Sequence, residues 1–469
     1  MEFNTSLQDY IKNVQNKNFD RHGFLQFVQK EAKKLEKYNF FAHLDDWIDI
    51  SFSQPLFGIP VSVKDNICVK DMPTTAGSKI LQGYVPTFDA TVVSRTKESG
   101  GNILGKTNQD EFGFGTFSVN SAYGIPKNPL DVRRTCGGSS GGAAGVTAAA
   151  EFPHVALVES TGGSISCPAA FCGVVGITPT YGLVSRYGLI DYANSLDKIG
   201  AIGKTVFDVA LLLSAIAGHD PRDFTSLNRK KYDYTKHAGK ANLKNVRIAV
   251  PKEYFKNIDK SVEKTVWQAI EKLEEMGAKY KEVTLPTTKY ALSAYYIIAT
   301  SEASTNLARY SGIRYGLHEE LEGNFDEYFS KVRTAGFGEE AKRRILLGTF
   351  ARMAGYRDQY YLKAMKVRTL IIEDFKRIFK KYDAIAAPTM PVIAPKFKEI
   401  KSMSPLRTYQ MDILTVGPNL AGMPHISVPC QTKGMPVGLH LIGDHLQEGK
   451  IIEIAAAYEN SMKEKEEKK

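Results

Sequence analysis

Two glycine-flanked serine clusters constrain the fold of this chain more than any other stretch. The first reads Cys-Gly-Gly-Ser-Ser-Gly-Gly over residues 136–142, and the second reads Ser-Thr-Gly-Gly-Ser-Ile-Ser over residues 160–166. A small-residue run typical of a helix and an apolar run typical of a strand separate them. Glycines beside a serine leave its hydroxyl and the nearby N–H groups accessible. A nucleophilic serine with an oxyanion hole needs this arrangement, whereas a lone Gly-Ser cluster is usually a flexible loop.

Strands and helices alternate on both sides of the clusters. Residues 59–64 alternate as a strand, residues 90–99 predict a helix closed by a glycine pair, and residues 102–106 predict a second strand. Such an order indicates crossover connections and a parallel or mixed sheet. The same alternation resumes near residue 246 without a linker rich in Pro, Gly or Ser, so we interpret it as an extension of one sheet. The expected class is α/β.

The composition of the 469-residue chain is that of an ordinary globular protein, with 43% hydrophobic and 24% charged residues. No apolar run is long enough to span a bilayer, and the first residues lack the features of a secretion signal, so we expect a cytoplasmic protein without a membrane partner. The five cysteines form no Cys-x-x-Cys pair, which argues against a disulfide framework or a zinc site. The net charge of +10 fits a lysine-rich surface or contact with an acidic partner such as tRNA.

A serine nucleophile needs a base that takes its proton. Of the nine histidines, only His154 lies near the clusters, and its place at the start of an apolar strand favours a structural role. No Gly-Lys-Ser/Thr follows the first cluster, which argues against a phosphate-binding loop. Lys64 remains, because it ends an apolar strand and burial disfavours the charged form of a lysine. If a second serine relays the proton, each cluster has a role; the flexible-loop interpretation stays open on these grounds.

The clusters and the lysine resemble the motifs of the amidase signature family. The resemblance rests on residues 136–142, on Thr-Gly-Gly-Ser-Ile at 161–165 and on Val-Lys-Asp-Asn at 63–66, and it extends through residues 106–112 and 175–188. It implies an amidase signature fold, with a large mixed central β-sheet covered by helices on both faces. It also implies one domain over residues 1–469. Its parts would be an N-terminal helical layer at 1–50, the signature region at 55–203 and a C-terminal part at 246–469.

The resemblance also implies roles for individual residues. In this family a Ser-cisSer-Lys triad hydrolyses amides, so Ser164 would be the nucleophile, Ser139 the bridging serine in a cis peptide, and Lys64 the base. The N–H groups of four residues would form the oxyanion hole: Thr161, Gly162, Gly163 and Ser164. The family's mechanism uses no metal.

Within the family, the chain is most similar to the A subunits of tRNA-dependent amidotransferases. Tyr295, Arg344 and Asp412 match positions that bind glutamine there, with the arginine on the α-carboxylate and the aspartate on the α-ammonium. The resemblance implies a glutaminase subunit that supplies ammonia for amidating Glu-tRNA(Gln) or Asp-tRNA(Asn). Its partners would be a small C-type subunit and a B subunit. The mischarged tRNA would be bound mainly by the partner, which would also hold ATP and magnesium, leaving this chain without a cofactor.

Four positions depart from the family pattern. Ser160 stands where an aspartate is usual, Ser166 replaces an arginine, Val119 replaces a glutamate and Gln109 a methionine. Two alternatives therefore stay beside the glutaminase prediction. One is a stand-alone amidase that acts on other amides, and the other is a catalytically weakened scaffold subunit.

Overall fold

The computed structural model describes residues 3–16, 19–45, 52, 54–239 and 242–467. Its centre is an eleven-stranded sheet with the strand order β1-β3-β2-β4-β6-β5-β10-β11-β9-β7-β8. The strands are β1 Phe41–Leu44, β2 Pro60–Lys64, β3 Asn102–Thr107, β4 Val155–Ser160, β5 Val175–Thr178, β6 Lys198–Gly203, β7 Arg247–Pro251, β8 Lys279–Val283, β9 Ala384–Pro388, β10 His425–Pro429 and β11 Gly438–Ile442. A single sheet runs through both the signature region and the C-terminal part.

Helices pack along this sheet. They are α1 Leu7–Val14, α2 Arg21–Leu35, α3 Thr91–Glu98, α4 Gly141–Ala149, α5 Ser166–Cys172, α6 Val206–Ile216, α7 Lys260–Glu275, α8 Thr288–Asn306, α9 Phe325–Gly336, α10 Glu339–Arg352, α11 Lys363–Phe379, α12 Phe397–Lys401, α13 Pro405–Gln410, α14 Val416–Leu420 and α15 Glu448–Glu467. In the described ranges, none of these helices combines the length and apolarity that a membrane crossing requires.

The sheet is mixed, and its direction changes bring two strand ends together. Strand β2 runs parallel to both β3 and β4, whereas β4 pairs antiparallel with β6. Val63 on β2 lies opposite Leu157 on β4. Because the carboxyl ends of parallel neighbours meet at one edge of a sheet, Lys64 and the loop after β4 lie at the same edge.

Both faces of the sheet are covered. Along β4, Val155 and Leu157 join one buried apolar cluster with α3 and α6, whereas Ala156 and Val158 join another with α4 and α5. This alternation follows from the two-residue period of a strand, which sends successive side chains to opposite faces. An α/β class with a large mixed sheet between helices is therefore confirmed.

Three strands, β1, β6 and β8, were not predicted from the sequence. Strand β1 lies in the region expected to be helical and pairs antiparallel with β3 at the sheet edge; it is four residues long and only partly buried. Strand β6 reads Lys-Ile-Gly-Ala-Ile-Gly, and its glycines hide the strand pattern. Residues 46–50 of the predicted N-terminal helical layer lie outside the described residues.

Candidate active site

Lys64 ends strand β2 inside the protein. Its side chain is completely buried, and its Nζ lies 2.7 Å from Ser139 Oγ. The same Nζ lies 2.8 Å from the carbonyl oxygen and 2.9 Å from the carboxylate Oε2 of Glu159 on β4. A lysine at this sheet edge therefore meets a serine hydroxyl and a carboxylate, and its side chain is shielded from bulk solvent.

The first serine cluster forms the loop that enters α4. The peptide bond between Gly138 and Ser139 is cis. The backbone carbonyl of Ser139 accepts the N–H of Asp110 at 3.2 Å, and its side chain is fully buried. The neighbouring Ser140 turns its hydroxyl to the carbonyl oxygen of Glu159, at 3.3 Å. Only the first of these two serines thus contacts Lys64 among the described hydrogen bonds.

The second cluster forms the turn between β4 and α5. Ser164 is 6% exposed, and its carbonyl oxygen accepts the N–H of Ser140 at 3.3 Å. Within the described ranges, the N–H groups of residues 161–164 have no hydrogen-bond partner. Buried unpaired N–H groups are costly in a protein, so four in succession indicate a place for an oxygen that carries negative charge.

Glu159 was not identified from the sequence. Its Oε2 also accepts an N–H of Asn66 at 3.0 Å, and its Oε1 lies 2.8 Å from Thr161 Oγ1. The same hydroxyl lies 2.9 Å from Oδ1 of the buried Asp197. Burial and the neighbouring Glu159 charge raise the pKa of Asp197 well above its usual range. The sequence did contain a signal for Glu159, because it is a charged residue in the apolar run that precedes the second cluster.

Asp110 is a second buried acid beside the first cluster. Its two carboxylate oxygens accept the N–H groups of Ser118 and Asn120 at 2.8 and 3.0 Å. Burial raises the pKa of Asp110 to about 7, although these hydrogen bonds act in the opposite direction. The Asp110 carboxyl therefore holds the loop of residues 115–120 against the first serine cluster.

The three predicted glutamine-binding residues come from different elements but lie in one region. Tyr295 on α8 packs directly against Gly162 of the second cluster. The contact is so close that a Cβ atom at position 162 would lie 2.6 Å from the Tyr295 hydroxyl oxygen. Asp412, in the turn before α14, accepts the hydroxyl of Tyr296 at 2.6 Å. The ring of Tyr296 lies 5.2 Å from the guanidinium carbon of Arg344 on α10.

Arg344 is held in a box of aromatic rings. Its side chain is 3% exposed, and its guanidinium lies over four rings, those of Phe114, Tyr192, Tyr296 and Tyr409. Nε donates to Glu340 Oε1 at 2.8 Å and Nη1 to the Tyr192 hydroxyl at 2.5 Å. Among the described residues, Nη2 has no hydrogen-bond partner. Arg344 and Asp412 are both buried, so neither belongs to an ion pair on the protein surface.

Asp412 has the opposite charge in the same region. Thr116 donates to its Oδ1 at 2.9 Å, and the side chain is 9% exposed. Burial raises the pKa of Asp412, whereas the two hydroxyl donors and Arg344 act in the opposite direction. The region thus presents one cationic and one acidic side chain near Tyr295, which packs against Gly162 of the second cluster.

The departures from the family pattern lie around the two clusters. The Oγ atom of Ser160 and both polar side-chain atoms of Gln109 are buried without a partner among the described residues. Ser166 contacts His425 Nδ1 at 3.1 Å. Val119 lines a cleft with Lys79 and Glu111. His154 contacts Ser62 and Thr147 at 3.0 and 3.1 Å, which fits the structural role expected of it.

The chain is similar to known proteins along nearly its whole length. Residues 8–452 match the family described as Amidase. The chain is 52% identical to the A subunit of glutamyl-tRNA(Gln) amidotransferase from Methanococcoides burtonii over 409 residues, which are 87% of this chain and 85% of that protein.

Two solved structures of related proteins have a similar fold. The fold is similar to that of the A subunit of glutamyl-tRNA(Gln) amidotransferase from Thermotoga maritima, with a TM-score of 0.84, 39% identity and coverage of 98% of this chain and 95% of that one. It is also similar to the native peptide amidase from Stenotrophomonas maltophilia, with a TM-score of 0.79, 30% identity and coverage of 98% and 97%.

Proposed function

The chain belongs to the amidase family, and we propose that it is the glutaminase subunit of a tRNA-dependent amidotransferase. The observation that carries this proposal is the pairing of a buried Lys64–Ser139 contact with an acidic and a cationic side chain beside the second serine cluster. The 52% identity to the A subunit of an amidotransferase supports it. The 30% identity to a peptide amidase supports the coarser statement that the chemistry is amide hydrolysis.

We assign the catalytic steps to the side chains of Ser164, Ser139 and Lys64. Ser164 Oγ attacks the side-chain amide carbon of glutamine, while its proton passes to Ser139 Oγ and the Ser139 proton passes to Lys64 Nζ. The 2.7 Å distance between Lys64 Nζ and Ser139 Oγ suits this transfer. Ser139, rather than Ser140, is the relay because Ser140 turns its hydroxyl to Glu159.

The tetrahedral intermediate carries its negative charge on the former amide oxygen. The unpaired N–H groups of residues 161–164 would donate to that oxygen, which is the role of an oxyanion hole. When the intermediate collapses, the carbon–nitrogen bond breaks and the proton returns from Lys64 through Ser139 to the leaving nitrogen. Ammonia and a glutamyl ester of Ser164 result, and water then hydrolyses the ester to glutamate by the same proton route.

The glutamine backbone would be recognised by opposite charges. Arg344 Nη2, which has no hydrogen-bond partner in the described part of the chain, would donate to the α-carboxylate, and Asp412 would take the α-ammonium. Tyr295, which packs against Gly162 of the second cluster, would contact the bound glutamine. These assignments distinguish glutamine from amides that lack an amino-acid head group.

The remaining parts of the reaction lie on other chains. Ammonia would pass to a B subunit that amidates mischarged tRNA, with ATP and magnesium bound there, and a small C-type subunit would complete the complex. We place the reaction in the cytoplasm, where reduced thiols such as the five buried free cysteines persist.

Pull-down of the full chain from native extract, followed by an ammonia-transfer assay on Glu-tRNA(Gln) and Asp-tRNA(Asn), tests the proposal. We expect amidated tRNA from glutamine with the wild-type complex, and none from glutamine with Ser164→Ala. The Ser164→Ala complex should still use free ammonium. Ser166→Ala, which removes a buried hydroxyl two residues away, serves as the control. Full glutamine-dependent amidation by Ser164→Ala would refute the proposal.

A further inference from the structure

A carboxylate lies against the proposed base from the neighbouring strand. Lys64 Nζ has three close oxygen neighbours, the carbonyl and Oε2 of Glu159 at 2.8 and 2.9 Å and Ser139 Oγ at 2.7 Å. The side chains of Lys64 and Glu159 are 0% and 1% exposed. Water therefore does not compete for any of these contacts.

The hydrogen bonds to Glu159 limit how the Lys64 amine can contact Ser139. A neutral amine has two N–H groups and one lone pair, and it must accept from Ser139 if it is to receive a proton. When both N–H groups donate to the two oxygens of Glu159, only the lone pair remains for Ser139. We propose that Glu159 is a positioning residue of the reaction. It directs the lone pair of Lys64 at Ser139 and stabilises the ammonium that forms. This inference rests on the proposed function, in which Lys64 is the base.

Thr161 and Asp197 lie on the side of the Glu159 carboxylate away from Lys64 Nζ. The single hydroxyl proton of Thr161 lies between Glu159 Oε1 at 2.8 Å and Asp197 Oδ1 at 2.9 Å. If Thr161 donates to Glu159, then Asp197 must be the donor to Thr161, which requires a protonated Asp197. Burial raises the pKa of Asp197 well above its usual range, and the Glu159 charge adds to that effect. A protonated Asp197 would leave Glu159 as the acceptor of the Thr161 hydrogen bond.

This arrangement differs from the family pattern in one respect. The chain has Ser160 where the family usually has an aspartate, and the Ser160 hydroxyl is buried without a partner among the described residues. Successive strand residues point to opposite faces, so Glu159 does not simply replace an aspartate at position 160. Other charged groups near Lys64 are Asp110 and the buried Lys106–Asp65 pair, whose Nζ and Oδ1 atoms lie 3.3 Å apart.

The test compares Glu159→Gln with the wild-type full chain in a glutaminase assay over a range of pH. The substitution keeps the shape of the side chain and removes its charge. We expect kcat/KM to fall about 100-fold, the lower part of the range for a proton-transfer contribution, with little change in KM. The acid limb of the pH profile should move to lower pH, because the substitution replaces a carboxyl group 2.9 Å from the proposed base with a neutral amide. Wild-type kcat with an unmoved acid limb would overturn the inference.

A second variant and a control separate positioning from folding. Glu159→Asp keeps a carboxyl group but shortens the side chain, so the carboxylate lies farther from Lys64 Nζ. We expect a roughly tenfold lower kcat and an acid limb near that of the wild type. A raised KM with unchanged kcat would overturn the inference. Glu448→Gln, at a buried acid bonded to Thr180, should leave the pH profile unchanged. Glutamine hydrolysis by Ser164→Ala would instead refute the proposed function itself.

Discussion

The backbone N–H of Ser140 donates to the carbonyl oxygen of Ser164 across 3.3 Å. This hydrogen bond joins the two serine clusters, which the sequence separates by a helix and a strand. Together with the Lys64–Ser139 contact, it gathers the end of β2 and both loops at one sheet edge. The proposed proton route depends on that arrangement.

The two adjacent serines of the first cluster should differ in importance. Ser139→Ala removes the hydroxyl that contacts Lys64, so we expect kcat/KM for glutamine hydrolysis to fall roughly 1,000-fold, as for loss of a proton-transfer group. Ser140→Ala removes a hydroxyl whose hydrogen bond, among the described residues, is to a backbone carbonyl, and this substitution should reduce kcat/KM much less. Equal losses in both variants would contradict the assignment of the relay.

Lys64→Met should both inactivate and destabilise the protein. It leaves the buried Glu159 carboxyl without its Lys64 donor, and removing one partner of such a buried pair costs about 3 kcal/mol or more. Lys106→Met is the matched control, because Lys106 is also completely buried and pairs with Asp65. We expect a similar loss of unfolding free energy in urea from both variants, with glutaminase activity lost only in Lys64→Met. Activity lost equally in both would argue against a special role for Lys64.

Arg344→Lys should weaken glutamine binding more than catalysis. A lysine cannot reproduce the planar guanidinium that fits the aromatic box and a carboxylate, so we expect KM for glutamine to rise about tenfold or more with a smaller change in kcat. Arg343→Lys tests the neighbouring arginine, whose side chain is 41% exposed and pairs with Glu340; its KM should stay near the wild-type value. An unchanged KM in Arg344→Lys would place the α-carboxylate elsewhere.

His154 should make the protein sensitive to acid without taking part in catalysis. Burial lowers the pKa of His154 to about 3, whereas in an unfolded chain a histidine has a pKa of about 6.5. Between these values the unfolded chain binds a proton that the folded chain does not. His154 therefore makes the free energy of unfolding fall as the pH decreases from about 6.5.

The measurement is urea unfolding of the wild type and His154→Gln between neutral and mildly acidic pH. The variant should show a shallower loss of stability with falling pH and retain its kcat. His22→Gln, at an exposed histidine, should match the wild type in both respects. A catalytic role for His154 would instead appear as a lost kcat in a folded variant.

Much of this fold followed from local patterns in the sequence. The alternation at Pro60–Lys64 and the glycine-closed helix at Thr91–Glu98 were confirmed, because burial on one or both faces imposes a period on the side chains. Strand β1 escaped detection since its four residues pair only at the sheet edge. Pairing of that kind depends on partners distant in sequence and leaves little local signal.

In the site, too, the residues within sequence motifs were predicted and those placed by distant contacts were missed. The family motifs identified Lys64, Ser139 and Ser164 as candidate catalytic residues. Their assigned roles stay predictions. Glu159 was missed because its importance comes from the register that places β4 beside β2, not from a motif. The aromatic box of Arg344 was missed for the same reason, as its rings come from loops and helices far apart in the chain. The division into one domain over the whole chain also stays a prediction.

Covalent labelling of the full chain with a fluorophosphonate, followed by mass spectrometry of its peptides, tests the central claim most directly. We predict a single adduct on Ser164, formed much more slowly in Lys64→Met and Ser139→Ala than in the wild type, because both residues activate that hydroxyl. An adduct on a different serine, or no adduct at any pH in a folded wild-type protein, would contradict the account.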